Sequence, residues 1–96
     1  MKPIRIMIVC VFGLGTSMIL KMTLDSVLQS YGIPSETFCE SAEVAAGQSY
    51  DIVLTSKSLS HLFQNSDKPV IVIEKYLSKD EVKNKVMPVI RQLIKE

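Results

Sequence analysis

The sequence has almost no excess charge of either sign. Its 96 residues carry 11 Lys and Arg against 10 Asp and Glu, a formal net charge of +1. Nucleic-acid-binding domains usually concentrate basic residues on one face or in one stretch, whereas the basic residues here are spread from Lys2 to Lys95. The composition therefore gives no reason to expect a nucleic-acid partner.

Long hydrophobic runs are also missing. A membrane-spanning helix needs about 18 or more consecutive apolar residues, and the apolar stretch near the N-terminus is broken by Gly13 and Gly15. A signal peptide ends in small residues at its cleavage site, and no such pattern follows this stretch. We therefore expect a cytosolic protein that does not insert into a membrane.

Cysteine is scarce, since the chain contains only Cys10 and Cys39. Cytosolic thiols are kept reduced, so the pair is expected to be two thiols rather than a disulfide. Low-complexity segments, repeats and linkers are absent as well, and the apolar fraction of 47% is ordinary for a globular protein. Residues 1–96 are therefore predicted to form a single domain.

Strand and helix patterns alternate along the chain. Continuous β-branched and apolar runs predict buried strands, and apolar residues at every third or fourth position predict helices. The predicted strands are 4–10, 35–40, 51–56 and 69–73, and the predicted helices are 17–31, a turn within 42–48, 58–64 and a C-terminal helix after Ser78. This alternation predicts an α/β fold with a four-stranded parallel sheet, order 2-1-3-4, and helices on both faces.

Several residues mark the ends of the two long helices. Gly32 predicts the end of the first. Ser78 and Glu81 have the spacing of a capping box, in which each side chain bonds a backbone N–H of the first turn. Pro88 predicts a kink or break near residues 84–88. The predicted apolar face of the first long helix comprises Leu20, Leu24, Val27, Leu28 and Tyr31.

The segment "CVFGLGTS", residues 10–17, joins the first strand to the first long helix. In a parallel sheet of order 2-1-3-4, ligands bind beyond the end of strand 1, where Cys10 lies. The N–H groups at a helix N-terminus favour an anion. Gly13 and Gly15 are expected to curl the backbone inward, and Thr16 and Ser17 to add hydroxyls and cap the helix.

A helix N-terminus also lowers the pKa of a cysteine thiol. Cys10 is therefore predicted to be a nucleophile that forms a thiophosphate. The plainer alternative is a buried cysteine followed by a tight turn. Dinucleotide binding is disfavoured because Met18 stands where the third glycine of G-x-G-x-x-G belongs, and the G-K-[ST] triplet of a P-loop is missing.

A cysteine-dependent phosphatase is the strongest rival interpretation. Such enzymes have a strand, a Cys, five residues, an Arg and then a helix. Here position 16 is Thr, and residues 11–19 contain no basic side chain. Without a guanidinium, bidentate stabilisation of the phosphoryl oxygens is lost. The loop is better suited to a carrier that holds a phosphoryl group without hydrolysing it.

The stretch "CVFGLGTSMILKM", residues 10–22, resembles the IIB components of the sugar phosphotransferase system (PTS). In that family a Cys at the end of strand 1 precedes x-x-G-x-G-[ST]-S-M. The stretch is similar to the ascorbate-type branch, in which C-G-N-G-x-G-S-S-M is usual, with Val11 and Phe12 in place of Gly-Asn. The resemblance implies a flavodoxin-like fold with a phosphatase-like phosphate loop, a phosphocysteine at Cys10 and no metal or organic cofactor. The implied phosphate-binding residues are Val11, Phe12, Gly13, Leu14, Gly15, Thr16 and Ser17.

The resemblance also implies a role in a bacterial cell. The protein would accept a phosphoryl group from a phosphohistidine of a IIA protein and pass it to a sugar bound by the membrane component IIC. Ascorbate is the first choice of sugar, and galactitol or another sugar is the second. The protein would be cytoplasmic and peripheral to the membrane through IIC. Two alternatives stay open: a non-catalytic regulatory or signalling module of the same fold, and a low-molecular-weight phosphatase-like enzyme.

A few further residues attract notice. Cys39 is predicted to fill space without chemistry. His61 is predicted to lie on the surface of a short helix; the alternative, a phosphate acceptor or relay, has no Asp or Glu close in sequence to orient the imidazole. Thr55 and Ser56 end the third strand, and they either reach the phosphate or cap the helix that follows.

Some side chains near the loop are candidates for binding protein partners. The methionines are expected to lie chiefly in the core, with Met18 and Met22 alternatively part of an adaptable docking surface. Phe12 and Leu14 are expected to form an apolar rim around the loop. Lys57 either balances phosphate charge or is solvated, and the second is the commoner case.

Overall fold

Strands and helices alternate in the described chain, as the sequence predicts. The structure, a computed structural model, describes residues 3–9, 14–45 and 47–95, with the backbone alone for Leu14, Thr16 and Lys95. The elements are β1 (Ile4–Val9), α1 (Leu14–Ser30), β2 (Ser35–Cys39), α2 (Ala42–Ala45), β3 (Ile52–Thr55), a 3₁₀ helix (Ser60–Phe63), β4 (Val70–Val72) and α3 (Lys79–Lys95).

The four strands form one parallel sheet in the order β2-β1-β3-β4, which confirms the predicted topology. The register pairs Val9 with Thr55, and Thr55 with Val72. The last residues of β1, β3 and β4 therefore lie side by side. We call this side of the sheet the carboxyl edge.

Each face of the sheet has its own apolar core. Ile6 and Ile8 point to the face covered by α1 and α3, where they pack with Leu54. Met7 and Val9 point to the other face and pack with Phe63 of the 3₁₀ helix. Because both faces are covered, β1 is apolar almost throughout rather than alternating.

The end of α1 follows the predicted stop signal. Gly32 has φ +63°, and it is the one described residue with a positive φ. Its N–H donates to the Gln29 carbonyl (3.1 Å), and the Ile33 N–H donates to the Leu28 carbonyl (3.1 Å), which is a Schellman arrangement. The turn leaves Tyr31 43% exposed, so its predicted place on the apolar face is wrong. The other predicted members are buried: Leu20, Leu24, Val27 and Leu28.

The start of α3 contains half of the predicted capping box. The Glu81 N–H donates to Ser78 Oγ (3.1 Å), as predicted. The reciprocal bond is wrong, because the Ser78 N–H donates to the Lys75 carbonyl instead (3.0 Å). The Glu81 carboxylate is therefore available for the backbone N–H groups of Glu74 and Lys75 (both 2.8 Å).

Pro88 lies inside α3 and does not end it, so of the predicted kink or break the break is wrong, and the kink stays a prediction. Pro88 is exposed. Water can therefore bond the helix carbonyl that loses its N–H partner to the proline ring. The buried residues of α3 on either side, Val86 and Ile90, keep the helix on the sheet.

Candidate functional site

The predicted site begins where β1 ends. Val9, the last residue of β1, is buried and pairs with Thr55 at the carboxyl edge. Cys10 follows Val9 directly in the sequence. The predicted nucleophile and the predicted phosphate-binding residues 11–13 lie outside the described residues. The described elements near the carboxyl edge are the first turn of α1, the end of β3 and the segment after β4.

The first turn of α1 begins earlier in the chain than the sequence suggests. The helix starts at Leu14 instead of residue 17, so Leu14, Gly15 and Thr16 are helical. Thr16 and Ser17 consequently lie within the first turn, and the prediction that they cap the helix is wrong. The N–H groups of this turn have no intrahelical partner and carry the positive end of the helix dipole. N–H groups of this kind favour an anion at the start of a helix.

Gly15 does not have the backbone role predicted for it. It is exposed and helical, and its φ is not positive. A Cβ added at this position would meet nothing within 4 Å. Neither the backbone conformation nor the described surroundings require a glycine here. Its N–H remains a predicted phosphate donor.

Two hydroxyls are buried at the end of β3. Thr55 is 0% exposed and Ser56 8% exposed. Neither Thr55 Oγ1 nor Ser56 Oγ has a hydrogen-bond partner among the described residues. The predicted alternative of helix capping is wrong, since the 3₁₀ helix starts later, and Leu59 at its N-cap uses no side-chain bond. Burying a hydroxyl without a hydrogen-bond partner lowers the stability of the fold by about 1–3 kcal/mol. A hydrogen-bond acceptor bound near the carboxyl edge would remove this penalty.

The segment between β4 and α3 is held from two sides. On one side, the Glu81 carboxylate accepts from the backbone of Glu74 and Lys75 and from Lys85 Nζ (2.8 Å). On the other, Thr23 Oγ1 of α1 lies 2.7 Å from the Tyr76 carbonyl oxygen and donates to it. These bonds attach residues 74–78 to both α3 and α1 beside the carboxyl edge.

The ionisation of Glu81 reflects these contacts. Partial burial of its carboxylate acts to raise the pKa. The hydrogen bonds from the Glu74 N–H, the Lys85 ammonium and the Lys75 N–H outweigh burial and lower the pKa from 4.5 to about 2. Glu81 is therefore a carboxylate at neutral pH, and its charge is used to fix the backbone rather than to transfer protons.

The comparisons with known proteins decide the family. The sequence model of a family described as "PTS system, Lactose/Cellobiose specific IIB subunit" matches residues 5–87. The chain belongs to this family. The IIB subunit is thus a component of a sugar phosphotransferase system, which transfers phosphoryl groups during sugar uptake, and such subunits work with IIA and IIC partners. The predicted enzyme class is confirmed at this level.

A solved structure supports the fold of the IIB subunit. This chain is similar to the solved structure of the lactose-specific IIB component domain of the PTS from Streptococcus pneumoniae, with a TM-score of 0.57 and 8% sequence identity. The alignment covers 98% of this chain and 97% of that chain. Comparison with curated proteins gave no match. The predicted ascorbate or galactitol subtype is not supported by these comparisons, whose descriptions name lactose and cellobiose.

The described surface of the IIB subunit includes an exposed apolar patch near the start of α1. Met18 and Met22 are 49% and 69% exposed, so their predicted place in the core is wrong and the alternative of an exposed surface agrees with the structure. Ile19 (42%) and Leu77 (80%) extend the patch, and both line a groove with Tyr76. The sequence pattern missed Leu77, because an isolated leucine in a loop has no periodicity that indicates its exposure. We call Met18, Ile19, Met22 and Leu77 the apolar surface.

The remaining predicted residues have no assigned chemistry in the structure. His61 is exposed on the 3₁₀ helix, which confirms its predicted place. Lys57 is exposed, in agreement with the solvated alternative. Cys39 is half-buried at the end of β2 and packs against the core under α1 and α3. None of the helices in residues 14–45 and 47–95 has the length and hydropathy needed to cross a bilayer.

Proposed function

We propose that this IIB subunit carries a phosphoryl group on Cys10, taken from a phosphohistidine of a IIA protein and given to a sugar held by a IIC component. The observation that carries the proposal is the place of Cys10 in the sequence, between β1 and α1. Cys10 directly follows the last residue of β1 at the carboxyl edge, and the N-terminus of α1 begins at Leu14. Helix N-termini stabilise thiolates and phosphates alike.

The proposed reaction has two balanced steps. In the first, the Cys10 thiolate attacks phosphorus, an S–P bond forms and the P–N bond of the phosphohistidine breaks. The electron pair of that bond stays on the imidazole nitrogen, which takes up a proton. In the second step, a sugar hydroxyl oxygen attacks phosphorus and loses its proton to a base or to water. The S–P bond then breaks and the thiolate is restored.

The absence of a basic side chain from residues 11–19 supports a carrier rather than a phosphatase. Backbone N–H groups can hold the phosphoryl oxygens. Rapid attack by water would benefit from the bidentate charge of an arginine. The phosphocysteine should therefore persist until a sugar acceptor arrives.

We also propose how the subunit meets its partners. The apolar surface lies on α1 and on the loop after β4, beside the proposed site, and supports successive docking of IIA and IIC. Residues 1–96 would act as one IIB domain in the bacterial cytoplasm and would reach the membrane through IIC. No metal or organic cofactor takes part in the proposed steps.

The sugar we propose is ascorbate, on the strength of the motif in residues 10–18. The test uses the phosphorylated IIB subunit and membranes that contain its IIC component, with ascorbate, galactitol, lactose and cellobiose as separate acceptors. We expect loss of the phosphoryl group to ascorbate. Loss only to lactose or cellobiose would overturn this choice and leave the carrier function intact.

The carrier function is tested with Cys10→Ser, which keeps the shape of the side chain but removes a good nucleophile. Cys39→Ser is the matched control, because it changes the other cysteine of the chain. After incubation with phosphorylated IIA, mass spectrometry should find one added phosphoryl group on the wild type and on Cys39→Ser, and none on Cys10→Ser. Phosphorylation of Cys10→Ser would rule out the proposed site.

The same experiment separates the two alternative functions. A regulatory module would gain no phosphoryl group in any variant. A phosphatase would lose the group to water within seconds when no sugar is present, whereas a carrier would retain it.

A further inference from the structure

We propose that a groove between α1 and residues 75–83 binds an amphipathic helix of a protein partner, with apolar side chains directed into the groove and acidic side chains along its edge. This inference rests on the proposed function only for the existence of a docking partner, and it adds the chemistry of that partner. It begins from three adjoining depressions along one side of α1.

The three depressions share lining residues and form one groove. The first two, of about 540 and 420 Å³, have Ile19 and Leu77 in common. The third, of about 350 Å³, shares Lys79 with the second. We call this continuous depression the α1–α3 groove. Its lining includes Ile19, Met22, Ser26 and Ser30 on α1, and Lys75, Leu77, Lys79 and Lys83 on the opposite side.

The side of α1 that lines the α1–α3 groove is long enough to receive a helix. Its lining residues are three or four positions apart, so they lie along one side of α1. At 1.5 Å per residue, the span from Ile19 to Tyr31 is about 18 Å. About three turns of a partner helix match this length. Amphipathic helices that bind in grooves place apolar anchors at the same spacing.

The α1–α3 groove is apolar and has buried residues at its base. Thr23 and Val27 line it and are 6% and 5% exposed. Met22 and Leu77 also line it and are 69% and 80% exposed. The side chains of a helix can enter such a depression, whereas a flat lipid surface would leave its base uncovered. The concave shape therefore favours a protein partner over a membrane.

The charges at the α1–α3 groove indicate the sign of the partner. Lys75, Lys79 and Lys83 line it and are exposed, and among its described lining residues Asp80 alone is acidic. The ion pairs of the described residues use other cations, namely Arg5, Lys21 and Lys85. The whole chain has a net charge of only +1, so the excess of lysine is local. It is complementary to carboxylates on a partner.

One wall of the α1–α3 groove is fixed in the free protein. Thr23 Oγ1 donates to the Tyr76 carbonyl (2.7 Å), and the Lys75 N–H donates to the Glu81 carboxylate (2.8 Å). These bonds hold the backbone before Leu77. A wall that is already in place lowers the ordering cost of binding.

The test measures binding of three synthetic peptides to the full, unphosphorylated chain. The acidic peptide, of about 14 residues, has leucines at every third or fourth position and glutamates beside them. The basic peptide has lysine in place of each glutamate. The scrambled peptide has the acidic composition without the periodicity. Fluorescence anisotropy of the labelled peptides gives the Kd, and amide NMR shifts of the chain locate the contact.

We expect the acidic peptide to bind most tightly and to shift the amide signals of residues 19–31 and 75–83. Equal binding of the basic or the scrambled peptide would overturn the proposal. So would shifts confined to other residues, or no binding of the acidic peptide.

Charge-reversal variants test the lysines. Lys79→Glu and Lys83→Glu should each raise the Kd of the acidic peptide by roughly fivefold, because an exposed ion pair is replaced by a repulsion. Lys68→Glu is the matched control, since it makes the same change at an exposed lysine that does not line the groove. An equal effect of Lys68→Glu would contradict the assigned charge complementarity.

Two leucine variants test the apolar contact. Leu77→Ala should raise the Kd of the acidic peptide by about tenfold, because apolar area that the partner would cover is removed. Leu62→Ala truncates an exposed leucine on the 3₁₀ helix and should leave the Kd unchanged. Both side chains are exposed, so neither variant is expected to unfold the chain. An unchanged Kd for Leu77→Ala would overturn the proposed anchor site.

Sedimentation with phosphatidylglycerol vesicles tests the membrane alternative. Binding of the chain to these vesicles, together with no binding of the acidic peptide, would replace the proposed partner by a lipid surface. These measurements use no IIA protein. A failure of phosphoryl transfer would therefore leave the helix-binding groove intact, and an absence of peptide binding would leave the carrier function intact.

Discussion

Replacing Glu81 with Gln should loosen the segment between β4 and α3 and lower the stability of the whole chain. The carboxylate lies 2.8 Å from each of the Glu74 and Lys75 backbone nitrogens. It also pairs with Lys85 Nζ at 2.8 Å. An amide keeps one acceptor oxygen, but its NH₂ group would face one of these donors. The charge on the acceptor is lost at the same time.

The size of the effect follows from how exposed these groups are. Hydrogen bonds to charged acceptors contribute about 1.5–3 kcal/mol when well shielded. The bonds around Glu81 lie near solvent, where water replaces lost partners and screens charge. We therefore expect a loss of about 1–2 kcal/mol at pH 7. For a domain of this size, that corresponds to a fall in melting temperature of roughly 5–15 °C.

Asp80→Asn is the matched control. Asp80 is the neighbouring exposed acid of the same helical turn, and its replacement changes the net charge and the helix-dipole interaction in the same way. Urea unfolding of the wild type and both variants gives the free energies. Equal losses for Glu81→Gln and Asp80→Asn would refute the assignment of the effect to the backbone contacts.

The same series tests the ionisation of Glu81. Its folded-state pKa, about 2, lies below the ordinary value of 4.5. The stabilisation is therefore complete above about pH 4.5 and is lost as the pH falls through 2. The free-energy difference between wild type and Glu81→Gln should shrink over that window. A difference that stays constant from pH 7 to pH 2.5 would contradict the proposed charge dependence.

Two further substitutions test the surroundings of the proposed site. Gly15→Ala should stabilise the fold by about 0.5–1 kcal/mol, as measured by urea unfolding. The helical backbone accepts alanine, and the new Cβ meets nothing within 4 Å. A loss of stability would show that the space is occupied. Thr23→Val should cost about 1 kcal/mol, because the bond from Oγ1 to the Tyr76 carbonyl is lost. In hydrogen exchange, Thr23→Val should speed up exchange of residues 74–78, and unchanged exchange there would contradict the role of this bond.

Much of the architecture could be predicted from the sequence, because its signals are local. The apolar run of β1 and the helical spacing of Leu20, Leu24 and Leu28 specify which face of each element is buried. Gly32 ends α1 because it adopts a positive φ at little cost. The alternation of strands and helices, with right-handed crossovers, then restricts the strand order to few possibilities.

The site was only partly predictable. The sequence alone indicates a thiol at the end of β1, next to a helix N-terminus. It therefore predicts a cysteine nucleophile that forms a thiophosphate. It could not show that α1 begins at Leu14, because glycine and threonine are weak helix formers and the neighbouring structure overrides such preferences.

The partners of individual polar groups were decided by the tertiary structure. The spacing of Ser78 and Glu81 suggests a reciprocal bond, but the turn before α3 occupies the Ser78 N–H and turns the carboxylate toward the backbone after β4. Thr55 and Ser56 become buried because β3 lies between two other strands. A periodic pattern reports contacts within one element, whereas a hydrogen-bond partner or a buried hydroxyl depends on segments that are distant in sequence and adjacent only after folding.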